Sequence, residues 1–269
     1  MATVSLGGSL EEKIAAISAA GFDGIELLDA DLTGSGMTPE ECALRCADAG
    51  LSIDLYQPFR RAEGVAPEEF ATVRQRLRSE LSTMQRLGTE AILVVSNTDA
   101  DAIDDRDLSI AQVSALADDA AAHGMAVMFE ALCWGTHIAS VADAWEVVRA
   151  VSRDNVSLVI DTFHLLAGGE DAAALAGIPS SKVGFLQLAD APLLSLELIQ
   201  WSRNHRCFPG EGEFDLDSPV GAVLASGYDG PVSLEIFNPS YRALPVGEVA
   251  QRGADALRAL LDGVTAPVG

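Results

Sequence analysis

The chain has 269 residues, 49% of them hydrophobic, enough to bury one large core. Forty acidic against seventeen basic residues leave a formal net charge of -23. Such a field repels phosphate backbones and anionic membranes, so nucleic acid and lipid are excluded as expected partners.

In chain order, an amphipathic helix, a small-residue turn and a short apolar strand alternate from end to end. Ser9-Leu-Glu-Glu12 and Thr38-Pro-Glu-Glu41 have capping-box spacing, the second with Pro at the first helical position. Leu87-Gly88 and His123-Gly124 read as helix ends, because glycine takes left-handed dihedrals without steric cost. The pattern predicts strands near residues 2–6, 24–28, 51–55, 91–95, 125–130, 156–161, 183–188 and 231–236. Eight strands separated by helical stretches predict an α/β fold, a (β/α)8 TIM barrel forming one domain over 1–269. A doubly wound sheet fits less well, since no glycine-rich phosphate loop follows the first strand. Residues 190–215 form the longest stretch without a regular pattern, a loop expected on the C-terminal face.

No apolar stretch approaches the roughly 18–20 residues that a membrane-spanning helix needs. The start, Met-Ala-Thr-Val-Ser-Leu-Gly-Gly, lacks the basic and apolar regions of a signal peptide. Cys42, Cys46, Cys133 and Cys207 form no Cys-x-x-Cys pair and are expected as thiols. The expectation is a cytoplasmic protein, monomeric or homo-oligomeric, acting on a small molecule.

Each of the last four predicted strands ends in an oxygen donor: Glu130, Asp161, Gln187 and Glu235. Strand ends converge on the C-terminal face of a barrel, where active sites are assembled. Three carboxylates crowded there repel by about 4 kcal/mol per close pair at an effective dielectric near 20. A divalent ion relieves that repulsion, and a set made only of oxygens suits Mg2+ or Mn2+, with Co2+ or Zn2+ as replacements. The competing reading is that each acid caps a helix or pairs with an arginine, and Asp161 is well placed as an N-cap.

Asp161-Thr-Phe-His164, Leu186-Gln-Leu-Ala-Asp-Ala191, Trp201-Ser-Arg-Asn-His-Arg-Cys-Phe-Pro-Gly210 and Gly227-Tyr-Asp-Gly-Pro-Val-Ser-Leu-Glu-Ile236 resemble bacterial 3-dehydroshikimate dehydratases. These belong to the xylose-isomerase-like barrels, alongside sugar epimerases and endonuclease IV. The resemblance extends to Asp54-Leu-Tyr-Gln-Pro-Phe-Arg60 and Ala131-Leu-Cys-Trp-Gly-Thr-His137. It implies that Glu130, Asp161, Gln187 and Glu235 hold the metal, and that the reaction dehydrates 3-dehydroshikimate to protocatechuate. The chain reads Asn204 and Glu211 where that family would have His and Gln. Ketose 3-epimerases of the same superfamily usually place His at the Gln187 position.

His164, three residues past Asp161, is the expected acid–base residue, and His137 is a second candidate at similar height. Arg60 and Arg206 are expected to bind a substrate carboxylate, with Arg203 and Ser202 beside them on the long loop. Glu26 is expected to hold a substrate hydroxyl or a basic side chain. Two rivals stand against this reading. One is a sugar or inosose isomerase, epimerase or dehydratase, which needs no carboxylate-binding arginine; the other is a non-catalytic sugar-acid-binding protein, which needs no metal.

Overall fold

The computed structural model describes residues 1–265; the last four residues of the expected domain lie outside it. Seven parallel strands form one sheet in sequence order: β1 (Gly24–Leu28), β2 (Ser52–Phe59), β3 (Ala91–Val95), β4 (Ala126–Glu130), β5 (Val156–Asp161), β6 (Val183–Leu188) and β7 (Val232–Leu234). The helix starts follow their capping residues. Ser9 accepts from the Glu12 amide at 3.3 Å while the Ser9 amide donates to Glu12 at 2.8 Å, and Thr38 and Glu41 make the same reciprocal pair.

The first predicted strand, residues 2–6, is not a strand. Thr3–Ser5 is a single 3-10 turn, and only Ala2 bridges β1, at Glu26. The reason is the two hydroxyls. Ser5 Oγ donates to the Leu234 carbonyl (3.2 Å) and accepts the Ile236 amide (2.9 Å), while Thr3 Oγ1 accepts the Leu28 amide (3.1 Å). With the Ala2 amide donating to Leu234 at 2.9 Å, side chains replace a ladder and close the barrel between β7 and β1.

Alternation along the strands sorts side chains between two cores. Leu55, Ala91, Leu93, Val95, Val159 and Phe185 pack together as an inner cluster, whereas Ile92, Val94, Val127, Phe129, Leu158, Ile160 and Leu186 belong to the larger core shared with the helices. Glu130, Asp161 and Gln187 fall on the inward period, two residues beyond Met128, Val159 and Phe185. Register then sets their height: Val95 pairs with Glu130, Asp161 with Gln187, and Gln187 with Ser233.

The long connection after β6 is less irregular than expected, because Leu198–His205 forms a helix. It buries Trp201 and Ser202 beside half-buried Leu198 and leaves Ile199 45% exposed on the other side.

Candidate active site

A cavity at the C-terminal mouth of the barrel is lined by Leu28, Gln57, Arg60, Leu93, Val95 and Glu130, then by Leu132, Trp134, His164, Ser202, Arg203, Arg206, Glu235 and Phe237. It encloses about 340 Å³, its open mouth included.

Asp161 serves two ends at once. Its Oδ1 accepts the Phe163 amide at 2.7 Å and so caps the helix Thr162–Ala167, while Oδ2 takes Arg206 Nη1 at 2.7 Å. The helix carries His164 over the floor of the cavity. Glu130, Asp161 and His164 each present a ligand atom, all within 4.8 Å of one another, and form a cluster able to hold a metal. Glu235 reaches the same floor through Arg206, whose Nη1 donates to Glu235 Oε2 at 3.1 Å.

Arg206 is fully buried and every arm of its guanidinium is engaged. Nε and Nη2 donate to Ser202 Oγ at 3.2 and 3.1 Å, and Nη2 lies 3.1 Å from His164 Nε2. Its plane stacks over Phe163 at 4.6 Å. Burial pulls its pKa down, but Asp161 and Glu235 hold it above the ordinary value.

The charges on the floor do not balance. Burial, then the neighbouring Asp161 and Glu235 charges, push the Glu130 carboxyl well above its ordinary range. Burial raises Glu235 too, against the opposing pull of Arg206. One guanidinium faces three carboxylates, and Glu130 Oε1 and Gln187 Oε1 are buried without a hydrogen-bond partner. Leaving such oxygens unpaired is costly. The amide nitrogen of Gln187 donates to Glu26 Oε2, which fixes its orientation and leaves Oε1 free. Partnerless oxygens beside surplus negative charge fit a hard divalent cation.

His164 is the only histidine lining this cavity. Burial lowers its pKa to about 3, opposed by Asp161, so the imidazole is uncharged at neutral pH. The Cys133 amide donates to Nδ1 at 3.1 Å, and Nε2 lies 3.8 Å from Glu130 Oε1 and 3.7 Å from Asp161 Oδ2.

Two expected residues lie elsewhere. His137 is outside the cavity: its Nε2 is 2.9 Å from Glu63 Oε2 and 3.1 Å from Ser109 Oγ, because Glu63 and Ser109 form a separate buried polar centre that draws the ring in. Glu26 is fully buried beneath the floor, where Oε2 accepts Gln57 at 2.9 Å as well as Gln187. It supports the site from below. Arg60, Arg203 and Ser202 do line the cavity. Trp201 is packing, edge-on to Phe163 at 5.5 Å. Asn204 and Glu211 stand off the cavity, Asn204 bonded to Gln200 and Glu211 to Tyr241 and Arg252.

Gln57, Trp134 and Phe237 line the cavity without having been singled out. The signal for Gln57 is the alternation Leu55, Gln57 continuing inward along β2 past the expected end at residue 55, where Pro58 disguises the strand.

A family model described as xylose isomerase-like TIM barrel matches residues 14–260. Two proteins named 3-dehydroshikimate dehydratase, from Pseudomonas aeruginosa and Pseudomonas putida, are 44% and 42% identical over 261 residues, covering 97% of this chain and 41% of their own length. A solved structure described as a xylose isomerase-like TIM barrel/4-hydroxyphenylpyruvate dioxygenase fusion protein superposes with a TM-score of 0.96 at 40% identity, over 98% of this chain and 42% of that one. This chain thus spans about two fifths of the length of these relatives. The family model spans most of the chain and the parallel strand order is that of such a barrel, and the chain belongs to the xylose isomerase-like TIM-barrel family.

Proposed function

We propose that this chain is a divalent-metal-dependent lyase that dehydrates 3-dehydroshikimate to protocatechuate, the reaction implied by the names of its Pseudomonas relatives. The observation that carries the substrate class is a pair of arginines at the cavity mouth. Arg203 is half-buried and Arg60 exposed, and among the described residues neither forms a salt bridge. Burial, then the nearby Arg60 charge, lowers the Arg203 pKa. Two cations held within electrostatic reach of each other, in a chain with net charge -23, favour an anionic ligand, and a planar guanidinium suits a carboxylate.

This refines the expected division of labour. With every Arg206 arm engaged on Asp161, Glu235, Ser202 and His164, the carboxylate falls to Arg203 and Arg60, and Arg206 balances charge on the floor. The Arg203 guanidinium carbon sits 4.5 Å from the centre of the Phe237 ring, a cation–π contact that helps hold it at the cavity. Leu28, Leu93, Val95, Leu132, Trp134 and Phe237 give the cavity an apolar wall. That wall suits a ring losing one hydroxyl as water on the way to an aromatic product better than a fully hydroxylated ketose.

Glu130, Asp161, Gln187 and Glu235 would hold the metal, with Mg2+ or Mn2+ preferred by this oxygen set. Bound there, the cation supplies Lewis acidity to the ketone as enolate charge develops. His164 handles a proton: burial keeps its imidazole neutral, and we assign it the proton from the carbon alpha to the ketone, which it returns to the departing hydroxyl as water leaves.

The test is to incubate metal-loaded and chelated protein with 3-dehydroshikimate, following the aromatic product by ultraviolet absorbance and chromatography. Protocatechuate formed only with metal supports the proposal. Epimerised ketose or inosose without aromatic product moves the chain to the isomerases, and binding without turnover makes it a sugar-acid-binding protein.

A further inference from the structure

We infer that Asp190 is a positioning residue, the buried anchor that sets the loop carrying Ser202, Arg203 and Arg206. The inference rests on the reading of the cavity above. Asp190 lies just past β6, is 2% exposed and is not among the residues that line the cavity. Its carboxylate accepts four backbone amides. Oδ1 takes Ala191 at 2.7 Å and Phe214 at 3.0 Å, and Oδ2 takes Gly210 and Gly212 at 3.0 Å each. Among the described residues no cation pairs with it, so these amides alone answer its charge.

The same residue ties the loop at its backbone. The Asp190 amide donates to the Cys207 carbonyl at 3.0 Å, and the Cys207 amide returns to Asp190 at 2.7 Å, an isolated antiparallel bridge. Arg206 is the residue immediately before that bridge, and its own carbonyl accepts Asn238 Nδ2 at 2.9 Å. The segment 207–214 therefore wraps one carboxylate, and the wrapping fixes where the chain bearing Arg203 and Arg206 meets the barrel. Gly212 passes so close that an added Cβ would overlap Asp190 Oδ1 and crowd the Ala191 backbone.

An amide cannot replace this carboxylate. Asparagine keeps the shape but turns one oxygen into an NH2 that faces amide donors. The loop must then shift, and a misplacement of about 1 Å can cost roughly 100-fold in rate.

The experiment compares wild type with Asp190→Asn, both metal-loaded, by hydrogen exchange and by turnover of 3-dehydroshikimate below the melting temperature. The expected result is lost amide protection confined to residues 190–214, intact strands, and kcat/KM lower by roughly 100-fold. Combined with Arg203→Ala, the loss should fall short of the product of the two single losses, because both act on one contact. Unchanged protection in 190–214, unchanged kcat/KM despite lost protection, or full multiplicativity would each overturn the inference. If Asp190→Asn does not fold, Gly212→Ala presses on the same carboxylate from the other side and is read in the same way. Should wild type not turn over 3-dehydroshikimate, the proposed reaction fails by itself, and the exchange pattern still decides whether Asp190 sets the loop.

Discussion

His164 and His137 follow neighbouring strands of one barrel, both with buried side chains and both beside carboxylates, yet their surroundings differ in one respect. Around His137 the carboxylate oxygens are matched, though the ring's own Nδ1 has no partner among the described residues: Glu63 Oε2 takes the ring and Ser109 Oγ (2.6 Å), and Glu63 Oε1 takes the Asn97 amide (2.8 Å). Around His164 they are not, since Glu130 Oε1 lacks any partner and the carboxylates outnumber the guanidinium. A satisfied network stabilises, whereas an unsatisfied one is poised to receive something. The largest expected effect tests this contrast. His164→Ala should lower kcat per folded molecule by roughly 10²–10⁴-fold, as for a lost acid or base, besides the stability lost when the Cys133 amide is left unpaired. His137→Ala should instead lower stability by about 1–3 kcal/mol for each buried group left unpaired and preserve activity per folded molecule. Measuring rate and melting curve on both variants decides; the reverse pattern would move the chemistry to His137.

The arginines repeat the contrast between unpaired and paired groups. A charge-assisted hydrogen bond contributes about 1.5–3 kcal/mol, so Arg203→Ala should cost roughly 10- to 150-fold in kcat/KM at ~1.4 kcal/mol per tenfold. Its melting temperature should hardly move. Arg206→Ala leaves Asp161 and Glu235 buried without their counter-charge, a loss of about 3–5 kcal/mol in chelated protein. Added Mg2+ or Mn2+ should recover much of it, because the ion binds the folded state. Thermal melts with and without metal, beside steady-state kinetics, separate the two roles. An Arg206 variant as stable as wild type without metal would remove its charge-balancing part.

What could be read in the sequence was what local pattern dictates. Apolar runs ending in an oxygen donor placed Glu130, Asp161 and Gln187 at strand ends, and capping boxes fixed helix starts at Ser9 and Thr38. What could not be read was set by contacts between distant segments. Thr3 and Ser5 replace strand pairing through hydroxyl bonds to Leu28, Leu234 and Ile236, which no local window contains. His137 reads like a site residue until Glu63, 74 positions away, claims it. Gln57 was hidden by the proline beside it. Arg206 and Arg203 share one short motif, and only their environments, one saturated and one open, tell them apart.

The smallest expected effect concerns the support beneath the floor. Burial, then the Glu235 charge, raises the Glu26 pKa from 4.5 to about 8. The folded state therefore binds more protons than the unfolded chain between those values, so stability falls as pH rises through that window and levels off above it. Glu130 and Glu235, raised by the same burial, add to the slope in metal-free protein. Melting temperatures of chelated protein should drop from pH 5 to pH 8, by roughly 2–4 °C per kcal/mol in a domain of this size. Glu26→Gln should flatten the curve by its own share. Glu26→Leu should in addition weaken the metal by roughly 10–100-fold, the usual cost of losing a group that orients a ligand, since it removes the one oxygen, Oε2, that accepts both Gln57 and Gln187, whereas the amide oxygen of Glu26→Gln can still accept both. A Glu26→Leu protein with wild-type metal affinity, beside a Glu26→Gln protein with an unchanged pH slope, would reduce Glu26 to a bystander and leave the Gln187 amide oriented by something else.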